Sequence, residues 1–369
     1  MKLLQPLPDV HSPLVVSEQS KVLCPYPVKF IRFRYRHHAA PSGYDRICDY
    51  IDAPAIRPSR VLHVAGETLL RPVGLWHAKR GGKYEYSRYD FTMEMAVIAD
   101  LLRCQGGLYH FIYAEKSFHL LERYSGRRGH RFVGTVHHPE DHQSWMFQSH
   151  SHFKAFDHLV SMDRRSIEYW ESVTGQRNVT WIPHGVDVDY FRPLMSRSVG
   201  PFRVVFAGQH DRDFEALSQV VRTVAERTSD IHFVLIGKHQ QLKELASQVP
   251  NAVQVENLTD EEYLKALQEA DLLLLPLLSS TVCNVVLEGM ACGTPVVTTG
   301  GGIEDYLEDE SAVVVLKGDV EGMVDAILVQ ADVRSGHKLS SHSARRQSER
   351  FSWSEVSRRH VELYASALQ

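Results

Sequence analysis

The sequence predicts an α/β protein of two Rossmann-like domains, each built on a parallel sheet. Three observations carry this. Short apolar runs alternate with helical stretches along most of the chain, the pattern of parallel strands joined by crossover helices. The 369 residues suffice for two domains of ordinary size. The stretch from Asp271 to Glu304 reads as one βαβ unit with two loops at the carboxyl edge of its sheet, where open α/β sheets bind ligands.

Composition narrows the class. Hydrophobic content of 43% with 23% charged residues belongs to a folded globular chain. No apolar stretch approaches the ~20 residues that a membrane helix needs. Prolines and charges between Met1 and Val16 interrupt any signal-peptide core. Cys24, Cys48, Cys104, Cys283 and Cys292 are scattered and lack a Cys-x-x-Cys pair, so reduced thiols in a cytoplasmic protein are expected. The halves differ in charge: 26 Lys+Arg against 20 Asp+Glu up to Gly200 (+6), and 15 against 25 from Pro201 onward (−10). The basic half suits an acidic acceptor or peripheral contact with the anionic inner face of a membrane. Nucleic acid would want a denser basic patch.

In the first half, Met1 to Tyr26 carries several prolines and no clear period. A strand follows, with Phe30, Phe33 and Tyr35 interleaved with Lys29, Arg32, Arg34 and Arg36. The loop from Ala39 to Arg46 leads into a helix over Asp45 to Tyr50, and Gly43 within it lets a backbone approach a ligand closely. Strands are then expected over Val61 to Ala65, Leu108 to Tyr113, Phe132 to His137, His158 to Met162 and Val179 to Pro183. Helices are expected over Asp90 to Arg103 and Arg164 to Val173, and a surface loop over Gly74 to Tyr89. The strand ending at His137 delivers His137 and His138 to a loop containing Glu140, Asp141 and His142. The His-His-Pro-Glu-Asp-His spacing lacks the i, i+4 pattern of a helical zinc site, so a non-metal role is the better reading and no metal site is assigned.

In the second half, Phe202 to Ala207 opens a further series of strands, continuing through His232 to Gly237, Ala252 to Val255, Asp271 to Pro276 and Ala312 to Leu316. Glu215 to Thr228, Gln241 to Ser247 and Glu261 to Glu269 read as the intervening helices, and the stretch from Phe351 to Leu368 as a last one. The apolar run Leu272 to Leu278 reads as a strand buried on both faces. Ser280 or Thr281 is placed to cap a helix from Asn284 to Cys292, whose first N–H groups, around Val282, Cys283 and Asn284, would form a phosphate site. Gly293 follows where a helix needs a left-handed residue. Glu288 lies about one turn into this helix, among Val285, Val286, Leu287 and Met290, where a carboxylate without a partner is unusual. There it can accept two hydrogen bonds from a ribose diol.

The run from Asn284 to Val297 resembles the donor-binding segment of the family 4 (group 1) glycosyltransferases, which have the two-domain GT-B fold. The resemblance implies two Rossmann-like domains whose parallel sheets face a central cleft, and a nucleotide-sugar donor of UDP or GDP type. It implies retention of anomeric configuration, no cofactor and no essential metal. Glu288 matches the second glutamate of the family's Glu-x7-Glu motif, which holds the ribose; Ser280 stands where the first would be. Ser280, Thr281, Val282, Cys283 and Asn284 fall in the donor loop. Gly43 is similar in position to the glycine-rich loop that faces the donor phosphates, with Ser42-Gly43 for the usual Gly-Gly. His137 is similar to a histidine that hydrogen-bonds the donor sugar, with His138 the alternative. Arg212 carries the role of a cation at the diphosphate. The linker from Ile182 to Pro193 resembles the family's Pro-Asn-Gly-Val-Asp…Phe-x-Pro, with His184 at the asparagine. The implied domains are residues 1–193, residues 194–350 and a C-terminal helix, residues 351–369, that crosses back to the first domain. A GT-B nucleotide-sugar epimerase and a non-catalytic nucleotide-sugar-binding protein remain open alternatives. Acceptor and oligomeric state are not implied.

Overall fold

The first sheet consists of β1 (Val28–Ile31), β2 (Ala55–Ile56), β3 (Gly107–Phe111), β4 (His130–Val136), β5 (His158–Ser161) and β6 (Val179–Trp181). Its strands are parallel in the order β2-β1-β3-β4-β5-β6. The second comprises β7 (Phe202–Ala207), β8 (Ile231–Ile236), β9 (Ala252–Val255), β10 (Leu272–Leu275), β11 (Val296–Thr299) and β12 (Ala312–Val315). It is parallel in the order β12-β11-β10-β7-β8-β9. This computed structural model describes residues 16, 21–32, 41–80, 86, 88–116, 118–147, 149–196, 200–332 and 339–369. The chain divides into two units, Met1–His184 with Trp353–Gln369, and Gly185–Ser352. The first crossing thus falls inside the linker motif that runs from Ile182 to Pro193.

In the first unit the helices are α1 (Ile47–Tyr50), α2 (Arg60–Glu67), α3 (Arg71–Arg80), α4 (Arg88–Arg103), α5 (Glu140–Met146) and α6 (Ser166–Thr174). The second carries α7 (Phe214–Arg227), α8 (Gln240–Gln248), α9 (Asp260–Gln268), α10 (Asn284–Ala291), α11 (Val320–Ala331) and α12 (Ser341–Glu349). The last helix, α13 (Trp353–Ala367), returns to the first unit: Trp353, Val356, Leu363, Tyr364 and Ala367 join the core of Phe30, Tyr109, Phe111 and Phe132. Its register is fixed by a buried polar chain, in which Tyr364 Oη meets His110 Nδ1 at 2.7 Å and His110 Nε2 meets Thr135 Oγ1 at 2.8 Å.

Three expectations fail in the first unit. Val61 to Ala65 is helical, in α2, because Ser59 caps a helix there by accepting from the Leu62 N–H at 3.1 Å. A short β-branched run cannot be told from a helical segment by periodicity, and the cap decides it. The expected surface loop from Gly74 begins inside α3 and ends inside α4. Glu140, Asp141 and His142 open α5 instead of lying on a loop. Phe33, Arg34, Tyr35 and Arg36 lie outside the described residues. Elsewhere Gly293 is left-handed with φ 78° after α10, as expected, and β10 is wholly buried but ends at Leu275, so the expected buried strand falls short of Leu278, which is exposed.

Candidate functional site

In the second sheet the chain leaves β7 towards β8 and β9, then returns to β7's other side as β10 and continues through β11 to β12. The carboxyl ends of β7 and β10 therefore flank the point where strand order reverses, the crevice where such sheets bind ligands. Arg212 follows β7. Its backbone pairs with Leu277 in an antiparallel bridge, and the Leu278 N–H bonds to Asp211 O at 3.0 Å, lashing the two loops together. The guanidinium folds over Gly208, where a Cβ would meet Arg212 Nη2 at 2.7 Å and where φ is +108°. From there it donates to Ala207 O (3.2 Å), His210 O (2.9 Å) and Cys283 Sγ (3.3 Å). These acceptors are all neutral. Among the described residues no carboxylate pairs with Arg212, so its charge is left for something else.

Cys283 is the N-cap of α10, with extended backbone and no side-chain cap. Neither Ser280 nor Thr281 is the N-cap, because the helix starts after them; Cys283 O accepts from the Val286 N–H at 3.0 Å. A cation thus stands beside a helix N-terminus whose first N–H groups lack intrahelical acceptors. Ser280 is buried and its N–H donates to Gly301 O at 3.0 Å. A Cβ at Gly301, where φ is +139°, would lie 3.5 Å from Lys317 Nζ and 3.9 Å from Ser279 Cα. Lys317 therefore brings an ammonium beside the serine loop. The N–H groups of Gly301 and Gly302 are held by the Glu304 carboxylate at 2.8 and 2.6 Å.

Glu288 is 4% exposed and accepts from the Tyr263 hydroxyl at 2.5 Å. Burial, and next the Glu288 charge, hold the Tyr263 hydroxyl well above its usual range, so it stays a donor. The carboxylate is placed by the residue after it: a Cβ at Gly289 would meet Leu273 Cδ1 at 2.0 Å, so α10 lies directly on β10.

In the first unit His137 follows β4 immediately and is buried. Its N–H donates to Glu115 Oε1 at 2.5 Å, a carboxylate that also accepts from the His138 N–H at 3.2 Å. Its Nε2 donates to the Ile112 carbonyl. A carbonyl can only accept, so Nε2 carries the proton, and a neutral ring then keeps Nδ1 as an acceptor. Burial lowers its pKa, which favours that neutral form. Tyr44 packs edge-on against the His137 ring at 4.4 Å and, tilted, against the His184 ring at 4.8 Å. Gly43 precedes Tyr44 with φ −63°, an ordinary extended geometry, so no left-handed backbone is needed there.

The comparisons with known proteins bear on the second unit first. Residues 201–331 match the family described as glycosyl transferases group 1. The matched residues all lie in the second unit. A 2-deoxystreptamine N-acetyl-D-glucosaminyltransferase of Niallia circulans is 23% identical over 173 residues, 43% of this chain and 44% of that protein. The sulfoquinovosyl transferase SQD2 of Arabidopsis thaliana is 27% identical over 143 residues, 37% of this chain and 28% of that protein. The chain therefore spans less than half the length of these curated relatives. Among solved structures, Anabaena HepE in complex with UDP and glucose aligns over 92% of this chain and 100% of its own, with a TM-score of 0.60 and 13% identity. That likeness bears on the fold alone, and it extends through both units.

In the second unit the structure gathers Arg212, Val282, Cys283 and Asn284 at one sheet edge, with Ser280 and Thr281 on the adjoining loop and Glu288 on the helix behind. Gly43 and His137 come together in the first unit through Tyr44. Arg212 immediately precedes Asp213, the N-cap of α7. Tyr263, Glu115 and Lys317 escaped sequence reasoning. The charged or polar groups that Glu288 and the His137 loop require give the only hint of the first two, and no local signal marks Lys317.

Proposed function

We propose that this protein is a glycosyltransferase that takes a nucleoside diphosphate sugar on its second unit and passes the sugar to an acceptor hydroxyl with retention. The observation that carries this reading is Arg212. Its unneutralised guanidinium touches the N-cap of α10 at the strand-order reversal, a cation and a helix N-terminus converging as a diphosphate needs. Glu288, oriented by Tyr263, accepts the ribose hydroxyls. As the bond from the anomeric carbon to the diphosphate oxygen breaks, the growing negative charge meets fixed donors, which stabilise the transition state more than the ground state. His137, whose neutral ring keeps Nδ1 as an acceptor, and Gly43 are the first-unit residues to which the family resemblance gives donor roles. Thr281 and Asn284 line the diphosphate, and no essential metal takes part. UDP is the nucleotide to try first, since it is what HepE binds in its structure.

The sugar itself follows from Ser280. A serine where the family resemblance places a carboxylate removes one negative charge from a corner where Lys317 and Glu304 both lie against Gly301, and so favours a sugar other than those the glutamate holds, with one bearing an acidic group the first to try. The acceptor is a glycan, a small molecule or a lipid-linked sugar.

The deciding experiment is calorimetry of UDP and GDP with the wild type and Glu288→Ala. Each hydrogen bond to a charged group is worth ~1.5–3 kcal/mol, so the variant should lose at least about tenfold in affinity. Turnover of UDP-glucuronate against UDP-glucose then tests the sugar class, with EDTA leaving the rate unchanged. Equal nucleotide affinity in Glu288→Ala would falsify the ribose assignment, and nucleotide binding without turnover of any donor would favour a non-catalytic binder.

A further inference from the structure

Helices α2 and α3 lie on α4 through glycines. A Cβ at Gly66 would meet Thr92 Cγ2 at 2.0 Å, and one at Gly74 would meet Phe91 Cδ1 at 3.4 Å. Docking through the faces that carry these glycines turns the other faces outward. Those faces are apolar. Val61 and Val64 on α2, Leu69 in the turn, and Val73, Leu75 and Trp76 on α3 all stand exposed, Val61 and Leu69 at 80% and 83%. Among the described residues no other stretch of this length exposes as many large apolar side chains. Cations are interleaved with them along the sequence: Arg57, Arg60 and Arg71 against Glu67 alone between Arg57 and Trp76.

We propose that this α2–α3 face docks the protein on an anionic membrane surface. An exposed cluster of Val, Leu and Trp is more apolar than the surface of a free monomer usually is. Set among arginines, it matches the way amphipathic helices lie in the headgroup region, apolar side chains sunk towards the acyl boundary and cations against lipid phosphates. No described helix is long and apolar enough to cross a membrane, so attachment of this kind would be peripheral. The cations also argue against a second copy as occupant, because two such faces packed together would set like charges against each other. The inference is independent of the glycosyltransferase reading.

Sedimentation of the full chain with vesicles tests it. Binding is expected with phosphatidylcholine–phosphatidylglycerol vesicles and not with phosphatidylcholine alone, and it should weaken as salt rises. Arg60→Gln with Arg71→Gln should reduce it by about fivefold per arginine. Val61→Ser with Val64→Ser should abolish it, with circular dichroism unchanged because both side chains face water in the free protein. Absence of binding to anionic vesicles overturns the proposal, as does binding that neither pair of substitutions weakens. A concentration-dependent dimer lost in the valine variant would reassign the face to a second copy.

Discussion

Glu288 depends on a neighbour that no reading of its own helix reveals. The Tyr263 hydroxyl lies 2.5 Å from its carboxylate, brought there by α9 from 25 residues away in sequence. A hydrogen bond to a charged group contributes about 1.5–3 kcal/mol, and its loss leaves a buried carboxylate short of a donor. Tyr263→Phe should therefore lower the melting temperature and also weaken UDP binding by several-fold, less than Glu288→Ala does. A Tyr263→Phe protein with wild-type nucleotide affinity would mean that Tyr263 serves stability alone. Arg212 is the opposite case: its own charge was legible, but its acceptors were not. Whether an arginine is neutralised by a carboxylate depends on which loops meet, and here those loops come from strands far apart in the chain.

At the scale of elements, close packing through glycine sets where side chains point. Gly289 lets α10 rest on Leu273 of β10, and this contact fixes how far Glu288 stands from the sheet. Gly289→Ala should cost about 1–3 kcal/mol, as small-to-large changes in a packed core do. Because the strain falls on the helix that carries the N-terminus beside Arg212, nucleotide affinity should fall with stability. Differential scanning fluorimetry and calorimetry on one preparation check both, and an unchanged melting temperature would show that Leu273 yields freely. The helix itself was readable from the Asn284–Val297 motif and Gly293. Its cap was not, since two hydroxyl residues upstream offered a better local signal than Cys283, and the loop hydrogen bond from Ser280 to Gly301 kept them outside the helix.

Across the molecule, the first unit concentrates buried histidines. His360 stacks on His110 at 5.4 Å, and burial brings its pKa from the ordinary 6.5 down to about 4. Burial also holds His110 well below its usual range, and His137 and His158 are lowered for the same first reason. The folded rings stay neutral while the unfolded chain takes up protons below 6.5, so acid favours the unfolded chain. The stability these rings carry is complete above pH 6.5 and is lost as pH falls from there towards 4. For His360 alone the shift corresponds to on the order of 3 kcal/mol. Thermal melts should show a steep fall over that window, and His360→Leu should flatten it. A wild-type melting temperature constant between pH 6.5 and 4.5 would refute the assignment.

The sequence by itself determined what local pattern encodes: the alternation of strands and helices, the buried strand before the serine loop, the glycine that ends α10, and the glutamate inside it. These follow from periodicity and backbone preference, which act over a few residues. Tertiary structure decided the rest. It set the order of strands that places Arg212 against α10, the tyrosine that holds Glu288, the lysine beside Gly301, and the turning outward of the apolar faces of α2 and α3. Each of these arises from contact between residues distant in the chain, where the energy depends on which surfaces meet and no single stretch records the meeting.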